Sequence, residues 1–314
     1  MSKCKIAVVM GGPSAEREVS IATGNGVMRA LEKLGYEARS LDFDARFIDA
    51  LRELEPEVVF NALHGKGGED GQLQGILDWM GLAYTGSDLA GCALAMDKHT
   101  TKKLLAAEGL PTPAWDTYDL RGGTLPLLPG SLNLPLVVKP RADGSSVGVQ
   151  MVKTHEQWTA AMISAAARTN DVLAEEYIAG REFSCGILGE EALPIVEIAA
   201  SDEFYTYDAK YKPGGSRHYV PAPIDADLTS RLQMLALSVH RLIGLRDYSR
   251  TDFIVTKEGR PYILEINALP GLTPSSLLPD ECNAMGISYE ALIERLVGYA
   301  NGRRTAALLT DVVA

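Results

Sequence analysis

Two acidic residues and an amide near the C-terminus, Asp252, Glu265 and Asn267, carry the first chemical signal. They lie in RTDFIVTKEGRPYILEINALPGLTPSS, Arg250 to Ser276, which alternates hydrophobic and polar residues, turns at Glu258-Gly259 and resumes with Tyr262-Ile263-Leu264. Gly at the turn supplies the positive φ that tight connections need, so the stretch reads as a hairpin. With Glu258 and Gly259 as a two-residue loop, Lys257 faces Arg260, Asp252 sits opposite Glu265, and Arg250 sits opposite Asn267. Side chains repeat every two residues on a strand, so all four site residues project from one face. Facing carboxylates repel and cost stability unless something neutralises them. Arg250 is one candidate, and a divalent cation is the better one: two carboxylates and an amide carbonyl are hard oxygen ligands, suited to magnesium that also holds phosphate oxygens. The alternative is a solvated strand pair with charges on its wet face. The same pairing puts Ile254 and Ile263 on the charged face and leads from Asn267 into a Pro-Gly loop, which favours the cation.

Further candidates sit in loops that strands present. Lys5 to Met10 reads as a buried strand followed by GGPSAEREVS, and Val58 to Leu63 as a strand followed by HGKGGEDG. Glu16 in the first loop reads, taken alone, as a helix-start carboxylate complementing the macrodipole. His64 is the stronger site candidate, because glycines around it let backbone amides approach a ligand; a plain turn histidine is the alternative. LPLVVKP brings Lys139 to a strand end, and the RADGSSVG loop after it has amides and hydroxyls to cradle phosphate oxygens. Between Val138 and Val149 that loop is a hairpin-like flap, with a simple surface hairpin as the alternative. The stretch FYTYDAKYKPGGSRHYVPAP, Phe204 to Pro223, is too long and too rich in Gly and Pro for regular structure. Its aromatics, with Lys210, Lys212 and Arg217, read as a lid that offers stacking and anion contacts. No GxGxxG and no GxxxxGK[ST] occurs, which excludes Rossmann and P-loop assignments.

The elements that must position these residues follow from periodicity. Strands alternating with helices over the first part imply a parallel sheet covered by helices, with ligands at the carboxyl ends of its strands. Helices at Leu73 to Met80 and Asp88 to Ala95 close a first domain over residues 1–95. Asp97-Lys98 opens the next helix, Thr154 with Gln157 makes a capping box for another, and Leu228 to Ile243 is a core helix. A chain of 314 residues suits two or three packed domains, and 46% hydrophobic with 23% charged residues reads as soluble and globular. The net charge of -11 comes without a basic cluster, so nucleic acid and anionic membrane are poor partners. Cys4, Cys92, Cys185 and Cys282 are scattered, which argues against structural zinc or a disulfide framework and fits a reducing cytoplasm. The IAVVM run is too short for a signal h-region, and no segment reaches the roughly 20 apolar residues that span a bilayer.

Asp-x-(about a dozen residues)-Glu-x-Asn on a late hairpin resembles the metal signature of ATP-grasp carboxylate–amine ligases, and NALPGLTPSSLLP resembles the D-alanine–D-alanine ligases more specifically. GGPSAEREVS, LHGKGGEDGQLQG, MDK, VVKPRADGSSVGV, EEYIAGREF, YDAKY, RTDF and LEINALPGLTPSSL are similar to that family's blocks, in order, over essentially the whole chain. The resemblance implies an α/β and α+β ATP-grasp fold: an N-terminal parallel α/β domain, then two α+β domains, 96–180 and 181–314, that sandwich the nucleotide. It implies ATP-dependent joining of two D-alanine molecules through a D-alanyl phosphate, with ATP and two magnesium ions (manganese as an alternative), in a cytoplasmic homodimer serving peptidoglycan precursor synthesis. By resemblance Lys98 and Lys139 contact ATP phosphates and Ser146 closes over them. Glu175, Glu176, Tyr177 and Ile178 hold the adenine edge, Glu182 the ribose, and Phe204 and Phe253 add nucleotide contacts. Lys210 reaches the transferred phosphate, while Asp252, Glu265 and Asn267 match the metal ligands. Glu16, Ser145 and Tyr211 match a hydrogen-bonded trio; Arg250 and Gly271 match oxyanion stabilisers; Ser276 and Leu277 lie at the second substrate's carboxylate, and His64 lies near the first D-alanine. Lys210-Tyr211 argues against a D-alanine–D-lactate ligase, and the intact Arg250, Asp252, Glu265 and Asn267 argue against a catalytically dead scaffold.

Overall fold

A computed structural model describes residues 3–123, 125–128, 130–144, 148–200 and 216–311. The apolar KIAVVM segment forms β1 (Lys5–Met10), buried from Ile6 onward, as a parallel strand covered on both faces should be. Helix α1 (Arg17–Lys33) returns the chain to β2 (Glu37–Asp42), α2 (Phe47–Leu54) to β3 (Val58–Asn61), and α3 (Gln72–Trp79) to the short β4 (Ala83–Tyr84); α4 (Leu89–Met96) follows. The sheet runs β2-β1-β3-β4, all parallel. Alternation sends Ala7 and Val9 to one face with Phe47, Leu51, Leu73 and Leu77, and Ile6 and Val8 to the other with Val27 and Leu31.

Asp97 starts α5 (Lys98–Ala107) by accepting the backbone N–H groups of His99 and Thr100. Strands β5 (Trp115–Asp119), β6 (Leu136–Pro140), β7 (Gln150–Val152) and β8 (Asp171–Glu176) form an antiparallel sheet ordered β5-β8-β6-β7, with α6 (His155–Ala166) across it. Leu136, Val138, Val152, Val172 and Ala174 pack there against Trp158 and Met162. Thr154 caps α6 by accepting the Gln157 N–H, whereas the Gln157 side chain reaches back one residue further than the capping box expects, to the Lys153 N–H. The flap joins β6 to β7 as expected, and Ser145 and Ser146 lie outside the described residues.

The chain crosses after Glu176 to the third sheet, which holds β9 (Arg181–Leu188), β10 (Glu191–Ala192), β11 (Val196–Ala200), β12 (Ser216–Tyr219), β13 (Tyr248–Val255) and β14 (Pro261–Asn267). Its antiparallel order is β12-β11-β9-β13-β14, with β10 on β9. Helix α7 (Ala226–Ile243) covers one face, placing Leu232, Ala236 and Val239 with Phe183, Cys185, Ile187, Phe253 and Ile263. Helices α8 (Leu277–Ala284) and α9 (Tyr289–Asp311) follow, and α9 packs Leu292 and Leu296 back against the first sheet. The lid expected over Phe204 to Pro223 is corrected at its end: SRHY pairs with β11 as an edge strand, while Phe204, Lys210, Tyr211 and Lys212 lie outside the described residues.

The β13–β14 hairpin keeps the expected register at its chemical end, where Arg250 faces Asn267 and Asp252 faces Glu265. The two-residue turn is corrected. Thr256 donates to the Arg260 carbonyl at 2.9 Å, so Lys257-Glu258-Gly259 is the loop, with Gly259 at φ 75°. The pairing then shifts by one residue between Phe253↔Ile263 and Asp252↔Glu265, so Leu264 is bulged and restores the register. Ile263 thereby turns into the core with Phe253 instead of joining the charged face, on which Ile254 remains.

Candidate active site

One face of the third sheet collects the chemistry. Antiparallel partners share a face, so Glu182, Ser184 and Gly186 of β9 line up with Ile254, Asp252 and Arg250 of β13, and these with Glu265 and Asn267 of β14. Arg250 grips both oxygens of Asp252, Nε to Oδ1 at 2.8 Å and a terminal nitrogen to Oδ2 at 2.7 Å. Ser184 donates to Asp252 Oδ1 at 3.0 Å and the Asn267 amide to Oδ2 at 3.1 Å. Burial works against the Arg250 charge, yet Asp252 and then Glu265 more than offset it and raise its pKa further. Glu265 has a different cation, Lys98, at 3.5 Å. The expected repulsion between the two carboxylates is therefore already divided between Arg250 and Lys98. Two opposed carboxylates and the Asn267 amide nonetheless form a hard-oxygen donor set. Each Asp252 oxygen already accepts two hydrogen bonds, so a divalent cation at Asp252 would take the place of an Arg250 or Asn267 contact, while the Glu265 carboxylate and the Asn267 amide oxygen complete a donor set of the type that fits such an ion.

A second charged cluster lies between β6, β8 and α5. Lys139 and Lys102 both bind Glu175: Lys139 hydrogen-bonds Oε1, and Lys102 stands 2.8 Å from Oε2 as an ion pair rather than an aligned hydrogen bond. All three are buried. Burial alone would push the Glu175 carboxyl up, but the two ammoniums outweigh it and hold the group below the usual carboxylate range. The Glu175 carboxylate, expected at an adenine edge, is thus committed to two lysines. Its neighbours Glu176, Tyr177 and Ile178 are half-buried on the segment that crosses to the third sheet, where the Tyr177 N–H donates to the Pro135 carbonyl. Phe253 is corrected as a nucleotide side-chain contact, because period-two alternation buries it fully on the opposite face from Asp252.

The other candidates converge from both ends of the chain. Lys98 also donates to the Asp143 carbonyl, and it shares a cleft with Glu69, Gly144, Glu265 and Asn267. Glu16 is buried at the start of α1 and lies between the two glycine loops: a Cβ on Gly65 would come within 2.4 Å of its Oε2, and one on Gly144 within 3.0 Å. That juxtaposition replaces the plain helix-start reading. His64 is buried with Nε2 3.0 Å from Thr23 Oγ1 and Nδ1 3.2 Å from Glu69 Oε1. Ser276 opens α8; its hydroxyl accepts the Thr273 N–H at 3.1 Å and stands 3.0 Å from where a Gly271 Cβ would be. Leu277 packs its side chain beside Val196 and Ile198, leaving its backbone N–H in the first turn of α8, where amides point at anions.

Sequence reasoning missed Lys102, Ser184, Glu69 and Glu281. Lys102 had a usable signal, since it stands four residues after Lys98 on the same helical face. Ser184 and Glu281 had none, because they meet the site only through strand and helix contacts distant in sequence. Glu281 is fully buried on α8, accepts the Gly186 N–H at 3.1 Å, and has an Oε2 with no hydrogen-bond partner among the described residues. No helix among the described residues is long and apolar enough to cross a membrane.

Known proteins match this arrangement along nearly the whole chain. The family model described as "D-ala D-ala ligase C-terminus" matches residues 104–298, and the one described as "D-ala D-ala ligase N-terminus" matches residues 44–87. A D-alanine–D-alanine ligase of Geotalea uraniireducens is 44% identical over 296 residues, covering 94% of this chain and 95% of that protein. One from Aquifex aeolicus is 39% identical over 293 residues, covering 93% and 99%. The crystal structure of the Bacillus anthracis D-alanine–D-alanine ligase complexed with ATP superposes with a TM-score of 0.85 at 32% identity, over 97% of this chain and 99% of that one.

Proposed function

The chain belongs to the D-alanine–D-alanine ligase family, and from that premise we propose that it joins two D-alanine molecules to D-alanyl-D-alanine at the expense of ATP, for peptidoglycan precursor synthesis. The observation that carries the reading is the approach of Lys98 to Glu265 at 3.5 Å, which brings the start of α5 against the carboxylate face of β13 and β14. The relatives named above favour D-alanine over D-lactate as second substrate.

A carboxylate is a poor electrophile, so the first D-alanine carboxylate oxygen attacks the γ-phosphorus of ATP, ADP departs, and a D-alanyl phosphate forms. That step asks the protein mainly for positioning and charge neutralisation. In this reading Lys98 and Lys139 meet the phosphates, with Glu182 and the 175–178 segment beside the nucleoside. A magnesium ion, held by Asp252, Glu265 and Asn267, would supply Lewis-acid neutralisation of phosphate charge. Glu16 and His64 address the first D-alanine. The amine of the second D-alanine then attacks the acyl carbon, and phosphate leaves. Arg250 and the Gly271 N–H face the tetrahedral oxyanion, donors typically worth about 2.7–4 kcal/mol each. The second carboxylate sits at the N-terminus of α8, at Ser276 and Leu277. Ser145, Ser146, Phe204, Lys210 and Tyr211 keep the roles the family resemblance gives them. The D-alanyl phosphate hydrolyses in water, which is the chemical reason for a closing lid. The test is ADP release from purified protein with ATP, magnesium and a panel of D- and L-amino acids. D-alanine-dependent turnover yielding the dipeptide is expected, and its absence removes the reading.

A further inference from the structure

A lysine that is 1% exposed needs a reason to be there, because burying an ammonium is costly unless it is paired. Lys102 has partners on every side. Its Nζ donates to Thr112 Oγ1 at 2.7 Å and to the Pro113 carbonyl at 3.3 Å, lies 2.8 Å from Glu175 Oε2, and sits 5.6 Å from the Trp115 ring centroid. Thr112 in turn donates to the Ile263 carbonyl of β14 at 2.9 Å. The cluster of Lys102, Glu175 and Lys139 holds two ammoniums and one carboxylate, so it carries one uncompensated positive charge in a buried place. A simple structural cross-link would balance its charges. A surplus cation is what an incoming anion neutralises.

We propose that Lys102 is a positioning residue for nucleotide binding: by drawing one oxygen of Glu175 to itself, it prevents that carboxylate from fully neutralising Lys139 and leaves Lys139 charged toward ATP phosphate. The inference rests on the nucleotide site proposed above and deepens it. The groups facing Lys102 are Glu175 on β8, Lys139 on β6 and, at longer range, Glu265 on β14; the Trp115 face on β5 completes its surroundings. Burial lowers the Lys102 ammonium to about 8, against the opposing pull of Glu175. The sign follows. Below that value Lys102 is charged and shares Glu175. As pH rises through it, Lys102 turns neutral, Glu175 falls to Lys139 alone, and the attraction for phosphate drops.

The experiment is calorimetric titration of the full-length protein with ADP and magnesium, without amino acid, from pH 7 to pH 9, on wild type, Lys102→Arg and Lys102→Met, each checked by urea unfolding. Wild type should lose about tenfold in affinity across that range, as one surplus charge near phosphate is removed. Lys102→Arg, whose charge does not titrate there, should bind with a flat pH profile. Lys102→Met should bind at pH 7 as weakly as wild type does at pH 9, and in turnover should raise the ATP KM more than it lowers kcat. The wild-type profile needs no variant, so a misfolded Lys102→Met does not spare the idea. A flat wild-type profile, or a Lys102→Arg profile that falls as wild type does, overturns it and leaves the function reading standing. No nucleotide binding at any pH removes both.

Discussion

Glu265 is the residue on which the cation reading turns. Its side chain is about a quarter exposed and its ion pair with Lys98 spans 3.5 Å, so that pair contributes little to stability. Glu265→Gln keeps the shape and one hard oxygen but removes the charge. The unfolding midpoint should therefore stay near that of wild type, while kcat at saturating magnesium falls on the order of a thousandfold, the several kcal/mol a Lewis acid supplies at a phosphoryl group. Near-normal turnover in that variant would mean Glu265 holds no metal. This residue was legible in sequence because its pairing with Asp252 lies within one hairpin. What occupied Asp252 was not: Arg250 could be placed on the same face, but its bidentate grip and the Ser184 hydroxyl depend on rotamers and on the β9 register.

At the scale of elements, the hairpin and α8 each show a local signal resolved by its surroundings. A Glu-Gly pair marks a positive φ but does not fix loop length, so the two-residue turn read from it became Lys257-Glu258-Gly259 with a compensating bulge at Leu264. Gly259→Ala forces a Cβ into the left-handed region at φ 75° and should cost about 1–2 kcal/mol in urea unfolding, with nucleotide affinity unchanged once folded. An unshifted midpoint would show that the loop relaxes to another turn. On α8, Glu281 fills the space that Gly186 leaves: a Cβ there would lie 2.1 Å from its Oε2. Burial outweighs the pull of Arg250 and raises the Glu281 carboxyl well above its ordinary value. The folded state thus binds that proton more tightly than the unfolded chain, whose carboxyl titrates near about 4.3. Stability from this group is complete below that value and is lost as pH rises. Glu281→Gln should gain stability relative to wild type between about pH 5 and pH 8. A constant difference across that range would place the proton elsewhere.

The first and third sheets and the last helix meet at Asp247, which no sequence pattern announces. The alternation of strands and helices revealed the parallel sheet, and the motifs supplied the candidate site residues, because both are periodic or contiguous. The first sheet meets the third across a buried apolar cluster that joins Ile6, Val8 and Phe60 to Leu188, Leu193, Tyr248 and Leu278, and through single polar contacts between segments distant in sequence. Asp247 is buried at φ 64° and accepts the Gly86 N–H at 2.8 Å and two hydrogen bonds from Arg303 of α9, while its carbonyl accepts the Gly189 N–H at 2.7 Å. Arg303 donates as well to the Tyr84 carbonyl at the end of β4. One carboxylate therefore joins the edge of the parallel sheet, the last helix and the entrance to β13. Removing it leaves a buried N–H unmet, at about 1–3 kcal/mol, and strips a partner from an arginine that is itself about a third exposed, so the total should stay at the lower end of the about 3–5 kcal/mol for a broken buried pair. Asp247→Gly and Asp247→Ala lose the same hydrogen bonds, but only alanine also carries a Cβ at positive φ, so it should be the worse by about 1 kcal/mol. Because the lost contacts are those between sheets, urea unfolding of Asp247→Ala followed by tryptophan fluorescence and by circular dichroism should separate into two transitions where wild type shows one. Coincident, unshifted curves for the variant would mean that the apolar cluster around Leu188, Tyr248, Leu278 and Leu296 holds the first sheet to the third without Asp247.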